Sequence, residues 1–315
     1  MASSLNGARV VATAAGVCLA LLVAAAGANE ADTGAPRNLR AATVCAGDTV
    51  AGIPPRDAQA PEGSEVARRV QHLAGVARDA LLRAELLAGN IPQFLRRSVP
   101  VRIPGRDRAH PVELTLCVLP DYLAVGSDRD FVLVPLGLEA ALAIAQRFGF
   151  VLPTPHMVDA IYEAAPVKLA PLPLPAGDEM RSTAYFVYHT ELIGEQRAAL
   201  PAPLGELTSG DKKDLVLTSR LWTDPGRVAI YGWHRSVGMP IQPLSTVHGA
   251  RYSDYSHGVR LVSDTAYVNG VPRPLRELLA EAQTARLLSD EGPWPQLAAR
   301  LAGLRSLLAT QAAGP

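Results

Sequence analysis

Val112-Glu113-Leu114-Thr115-Leu116-Cys117-Val118 is an apolar run of strand length, and the segments after it set the fold class. Asp121-Tyr122-Leu123-Ala124-Val125-Gly126-Ser127-Asp128 reads as a strand entering a turn, and Phe131 to Val134 as a further strand. Leu138 to Phe148 then changes to a helical period. Leu138, Leu142, Ile144, Ala145 and Phe148 can face a core, and Gly149 ends the run. Val151-Leu152 is a short extended piece. Thr154 can cap a second helix that starts with Pro155 and carries Met157, Ile161 and Ala165. Strands next to strands, followed by helices, without regular βαβ repetition, predict an α+β fold. The sheet should be mixed but mainly antiparallel, with packed helices and long proline-rich connections.

Upstream, Val66, Val70, Leu73, Ala77, Leu81 and Leu82 predict one helix capped by Ser64 and ended at Gly89-Asn90. Residues 29–63 carry Gly34-Ala35-Pro36, Gly52-Ile53-Pro54-Pro55 and Pro61-Glu62-Gly63, the composition of a flexible arm. Downstream, Pro166, Pro171, Pro173 and Pro175 break residues 166–180 into an extended crossing. Ala184 to Tyr188, Leu215 to Thr218, Val228 to Gly232 and Val259 to Val262 read as strands. Thr265 to Val268 reads as a hairpin arm closed by Asn269-Gly270. Helices are expected around Leu275 to Leu288 and Pro295 to Ala309. The expected organisation is an export segment over 1–28, an arm over 29–63 and a single α+β domain over 64–315.

The export reading rests on Arg9, the only charged side chain in the first 29 residues, and on the apolar stretch Val10 to Ala28. The stretch ends in Ala26-Gly27-Ala28, the small-x-small pattern of a cleavage site. It is diluted by Ala, Gly and Thr relative to a membrane span, so the membrane is expected to matter only during export. Cys18 lies inside the apolar run, not after it, and is not read as a lipidation site. Cys45 and Cys117 then remain, either as one disulfide of an oxidising compartment or as two buried thiols. Lys plus Arg equal Asp plus Glu at 30 each, and no basic patch with interleaved aromatics is present, which argues against a nucleic-acid partner.

Polar chemistry concentrates between residues 212 and 260. Lys212-Lys213-Asp214, Tyr231-Gly232-Trp233-His234 and the run from His248 to Arg260 hold three of the seven histidines. The candidate catalytic residues are His234, His248, Asp254, Ser256 and His257. Lys213, Trp233, Arg251, Tyr255 and Arg260 are the candidate substrate contacts.

Three mechanisms use these residue types. Ser256 can be a nucleophile if His234 or His248 reaches it, because strand geometry sends neighbouring His257 to the opposite side. His234, His248, Asp254 and His257 suit zinc, although their spacing matches no metal signature. Alternatively, His248 or His257 moves a proton while Lys213, Arg251 or Arg260 meets negative charge.

Plainer roles stand beside each of these. His234 can satisfy a backbone carbonyl, and Asp254 and Ser256 can be turn residues that hydrogen-bond locally. Arg260 can pair with Asp214 or Asp254, while Trp233 and Tyr255 can cover a sugar ring or simply pack. Asp121, Tyr122, Ser127, Asp128, Lys168 and the pair His156 and Asp159 read first as surface or capping residues. His72 lies in the first helix, apart from the cluster.

Lys213-Asp214-Leu215-Val216 followed by Val228-Ala229-Ile230-Tyr231-Gly232 loosely resembles the sheet segment of NlpC/P60 cell-wall peptidases. That family's nucleophile is a cysteine at a helix start, whereas Cys117 falls in an expected strand and Cys45 in the arm. The resemblance therefore implies an envelope-polymer substrate but supplies no nucleophile. Two function classes remain. One is an exported hydrolase, secreted, periplasmic or at the cell surface, cleaving a peptide, ester or glycan bond of an envelope polymer or small extracellular substrate. The other is an extracytoplasmic ligand-binding or structural protein without catalysis.

Overall fold

A computed structural model describes Val44, Cys45, residues 52–107 and residues 110–313. The expected export segment 1–28 and most of the expected arm lie outside the described residues. The fold is α+β, as the order of elements predicts. The largest sheet has five strands. β1 (Val99–Asp107) pairs antiparallel with β2 (His110–Val118), which pairs with β12 (Val262–Val268). β12 also pairs with β13 (Val271–Pro274) and with β5 (Phe150–Val151), both antiparallel. Sequence reading misses β1. Pro100 and Pro104 argue against a central strand, and β1 is an edge strand, where a missing N–H is tolerated.

The second sheet runs β10 (Met239–Ser245), β9 (Ile230–Ser236), β8 (Lys213–Leu215) and β11 (His257–Gly258). Its first two pairings are antiparallel and β8–β11 is parallel. Two small pairs complete the strands: β3 (Ala124–Gly126) with β4 (Phe131–Leu133), antiparallel, and β6 (Val167–Lys168) with β7 (Thr208–Ser209), parallel.

The expected first helix is two helices, α1 (Gly63–Val70) and α2 (Gly75–Leu87). Gly75, at a φ of 53°, starts the second after a break. Ser64 caps neither, because its hydroxyl donates to Asp130 Oδ2 at 2.6 Å. α3 (Leu138–Phe148) and α4 (Pro155–Ala164) form as expected, the former ended by Gly149 in the left-handed region. Thr154 caps α4 by accepting from Met157 N at 3.1 Å.

Residues 184–188 are not a strand. They belong to α5 (Thr183–Ala198), which begins with Ser182 accepting from Tyr185 N at 3.2 Å. Phe186, His189, Thr190, Ile193 and Arg197 recur at helical spacing and are all buried. That tertiary burial overrides the β preference of the aromatic and branched run. The short α6 (Arg220–Thr223) follows. The expected helix over 275–288 divides into α7 (Leu275–Ala280) and α8 (Ala282–Ala285) before α9 (Leu297–Ala313).

One continuous apolar core joins the helices to the sheets, from Leu82 and Leu86 through Leu116 and Val118 to Leu261 and Leu278. Each such side chain contributes about 1.5–3 kcal/mol by leaving water. Cys45 and Cys117 form a disulfide with Cα atoms 5.4 Å apart, resolving the two readings of this pair in favour of the bond.

Candidate active site

The site is built where β8, β9 and β11 lie side by side. Lys213 is the register partner of both Gly232 and His257, so the Lys213 and His257 side chains leave the same face of the sheet. Trp233 joins them through an unusual backbone. Its φ is 58°, a left-handed conformation that costs a non-glycine residue about 1–2 kcal/mol. Its ring lies 4.9 Å from Lys213 Nζ, a cation–π contact. The strand's ordinary alternation would place Tyr231 and Trp233 together and send His234 to the Lys213 side. Instead, Tyr231 and His234 both reach Asp159, with the Tyr231 hydroxyl 2.9 Å and His234 Nε2 2.8 Å from its Oδ1. His234 also stacks on Tyr162 at 4.5 Å.

His257 is 1 % exposed, and neither ring nitrogen has a hydrogen-bond partner among the described residues. Its Nε2 is 3.7 Å from Asp254 Oδ2, too far for a hydrogen bond and an ion pair only when the ring is protonated. Burial drives its pKa down to about 4, with Lys213 assisting and Asp254 opposing, so the ring is neutral at physiological pH. Burial alone would raise the Asp254 pKa. The adjacent His257, the Ser256 hydrogen bonds and Lys213 outweigh it and hold the carboxyl below its ordinary range. Tyr252 donates to Asp254 Oδ2 at 3.0 Å, and its ring stacks on His248 at 4.0 Å. His248, Tyr252 and Lys213 are half-buried, forming a rim over the buried His257 and Asp254.

Ser256 is fully buried, with Oγ donating to Asp254 Oδ1 at 2.5 Å and its backbone N–H to the same atom at 2.8 Å. It is a turn residue locked to its carboxylate, and neither His234 nor His248 is bonded to it, as the serine mechanism requires. The zinc set is likewise divided, since His234 belongs to Asp159 and Tyr162. Among the described residues, no three His, Cys, Asp or Glu side chains are placed to hold a metal ion.

Arg260 does not reach the rim. It is fully buried, donates to Leu119 O at 3.1 Å and Thr208 O at 2.6 Å, and lies 4.1 Å from the Tyr122 ring centroid. Tyr122, also buried, donates to Asp214 Oδ2 at 2.9 Å. A Cβ at Gly258 would stand 2.4 Å from Tyr122 Cδ1, so only glycine lets this ring seat against the backbone that carries His257. Tyr255 is buried too, its hydroxyl accepting from Leu174 N at 2.6 Å in the proline-rich crossing. Arg251 is exposed and turns toward a neighbouring cavity.

The sequence carries no signal for His189, and it shows Lys212 in the polar cluster without a role. Lys212 is fully buried, with Nζ 2.9 Å from His189 Nδ1 and 2.6 Å from Tyr255 O. His189 Nε2 faces Leu172 O at 3.1 Å and must donate there, which leaves Nδ1 to accept from the ammonium group. Burial and Lys212 push the His189 pKa to about 2, in keeping with that neutral tautomer. The pair fixes the segment carrying Lys213 and His257 from beneath. His189 shares the buried face of α5 with Phe186 and Ile193.

No family model, curated protein or solved structure matches the chain. Although β8 and β9 do pair, the NlpC/P60 likeness has no support beyond those two short pieces. No helix among the described residues is long and apolar enough to cross a membrane.

Proposed function

We propose that the protein is an exported hydrolase in which His257 is the general base for attack by water on a peptide, ester or glycan bond. Its ring nitrogens are covered, so this role requires the neighbouring side chains to move aside and admit the water. The observation that carries this reading is the buried, neutral His257 beside the Asp254 carboxylate, with both ring nitrogens free of protein partners among the described residues. In an acyl substrate, His257 takes a proton from water as the water oxygen bonds to the carbonyl carbon. Asp254 stabilises the imidazolium and Lys213 meets the developing oxyanion. The bond to the leaving group then breaks, and the proton held by His257 passes to that group. Tyr252 keeps Asp254 oriented through its 3.0 Å hydrogen bond. The left-handed backbone at Trp233 supports the assignment, since strained residues gather at functional sites.

The Cys45–Cys117 disulfide supports residence in an oxidising compartment, and hence an envelope polymer or small extracellular substrate. The test is product release from a panel of envelope peptides, esters and glycans. Turnover that disappears in His257→Gln supports the assignment, and its absence across the panel favours a non-catalytic binding role.

A further inference from the structure

We propose that Tyr252 is a movable cover on the reactive pair: by swinging into the cavity beside it, Tyr252 uncovers His257 and releases to the imidazole the Asp254 oxygen that it occupies. What the opening serves rests on the hydrolase reading, whereas the cover itself does not.

Two donors compete for one acceptor. The Tyr252 hydroxyl donates to Asp254 Oδ2 at 3.0 Å, and His257 Nε2 stands 3.7 Å from the same atom, beyond hydrogen-bond range. The tyrosine thus holds the oxygen that could otherwise orient an Nε2–H and leave Nδ1 as the base. Asp254 does not need Tyr252 to stay in place. Its other oxygen, Oδ1, accepts from Ser256 N at 2.8 Å and from Ser256 Oγ at 2.5 Å, and both residues are buried. When the phenol withdraws, the carboxylate stays fixed with Oδ2 open to His257.

The same ring covers the imidazole. The Tyr252 centroid lies 5.6 Å from that of His257, and His248, stacked on Tyr252 at 4.0 Å, lies 6.5 Å from it. Ser253, Asp254 and Ser256 are buried, whereas Tyr252 and His248 are half-buried and Arg251 is exposed. Tyr252 also forms part of the wall of a cavity of about 390 Å³ that reaches from the start of α2 to Arg181. The phenol ring therefore has space to enter by rotation about its side-chain bonds. One hydrogen bond and one ring stack hold it closed, contacts weak enough to break and remake while the fold stays intact.

The experiment treats the disulfide-bonded protein at pH 7 with a limiting amount of diethyl pyrocarbonate, which acylates an accessible neutral imidazole. Trypsin cuts after Arg251 and Arg260, so His257 is read by mass spectrometry on the peptide 252–260, apart from His248, and fragment ions distinguish it from the tyrosines. In the wild type His257 should react more slowly than His248, at a rate unchanged by sub-denaturing urea, because the opening is local. Tyr252→Phe keeps the ring and loses the hydrogen bond, and should raise the His257 rate roughly tenfold. His248→Ala removes the stack and should raise it about threefold. In Tyr252→Phe the His257 titration followed by NMR should also move up from about 4, since Asp254 is freed towards it while Lys213, Lys212 and His248 are unchanged. A His257 rate that is the same in Tyr252→Phe as in the wild type, zero included, overturns the proposal, as does a wild-type rate that rises with urea in step with unfolding. A covered His257 that opens in this way, in a protein without turnover on any bond of the panel, keeps the cover and discards only the hydrolase reading.

Discussion

Lys213 sits directly across from His257 in the parallel pairing of β8 and β11, so an ammonium group and a neutral imidazole share one face of the sheet. The cation adds to burial in opposing protonation of the ring, and the nearby Asp254 carboxylate does not reverse the balance. In the proposed hydrolysis the same cation would meet the negative charge that forms as His257 accepts a proton.

The histidine titration should therefore be displaced. His257 ring signals followed by NMR should stay constant from pH 8 to about 5.5 and move only as the pH approaches about 4. Asp254→Asn removes the group that favours the imidazolium, so protonation should shift to still lower pH. A His257 titration near its ordinary value of 6.5, or an upward shift in Asp254→Asn, would contradict this arrangement.

The backbone at Trp233 can be tested by stability. At a φ of 58°, glycine avoids the steric cost that alanine incurs. Trp233→Gly should therefore be more stable than Trp233→Ala by about 1 kcal/mol in urea unfolding, reversing the usual order within a strand. If the alanine variant is the more stable, the residue is not left-handed.

That inversion also marks where the sequence stops being legible. Leu138–Phe148, the Thr154-Pro155 helix start and the hairpin turn Asn269-Gly270 are readable because their period or turn chemistry is local. The crowding of Lys213, Trp233, His248, Asp254 and His257 into one segment is visible for the same reason. The dispersal of His234 is not, because it depends on two consecutive positive-φ residues, Gly232 and Trp233, that break the alternation of β9. His189 is hidden by a run that prefers strand and becomes helix only through burial of its far side. Arg260 looks like a ligand contact in sequence, and only the tertiary fold supplies the carbonyls and ring that enclose it.

The disulfide closes a span of 72 residues and ties Cys45 to β2. Replacing both cysteines with alanine should cost about 2–5 kcal/mol. Reductant should lower the urea midpoint of the wild type and leave that of the double variant unchanged. An unaffected wild type would show that this bond does not stabilise the fold.

Asp211 gives stability a second pH dependence. Burial, aided by Asp121, raises its pKa to about 7, and neither carboxyl oxygen has a hydrogen-bond partner among the described residues. Between about pH 4 and 7 the folded protein keeps a proton that the unfolded chain has lost, so this contribution to stability declines as pH rises. Asp211→Asn removes the decline, and its stability relative to wild type should increase from pH 4.5 to 7.5. A difference that stays constant across that range would contradict the raised pKa.

Which side chain moves the proton is decided by comparing kcat/KM of the wild type, His257→Gln and Ser256→Ala on the best substrate of the panel, with folding of each variant verified. With His257 as the base, His257→Gln should lose about 10²–10⁴-fold and Ser256→Ala should retain most activity. Activity unchanged in His257→Gln, or abolished in a folded Ser256→Ala protein, would refute that role for His257.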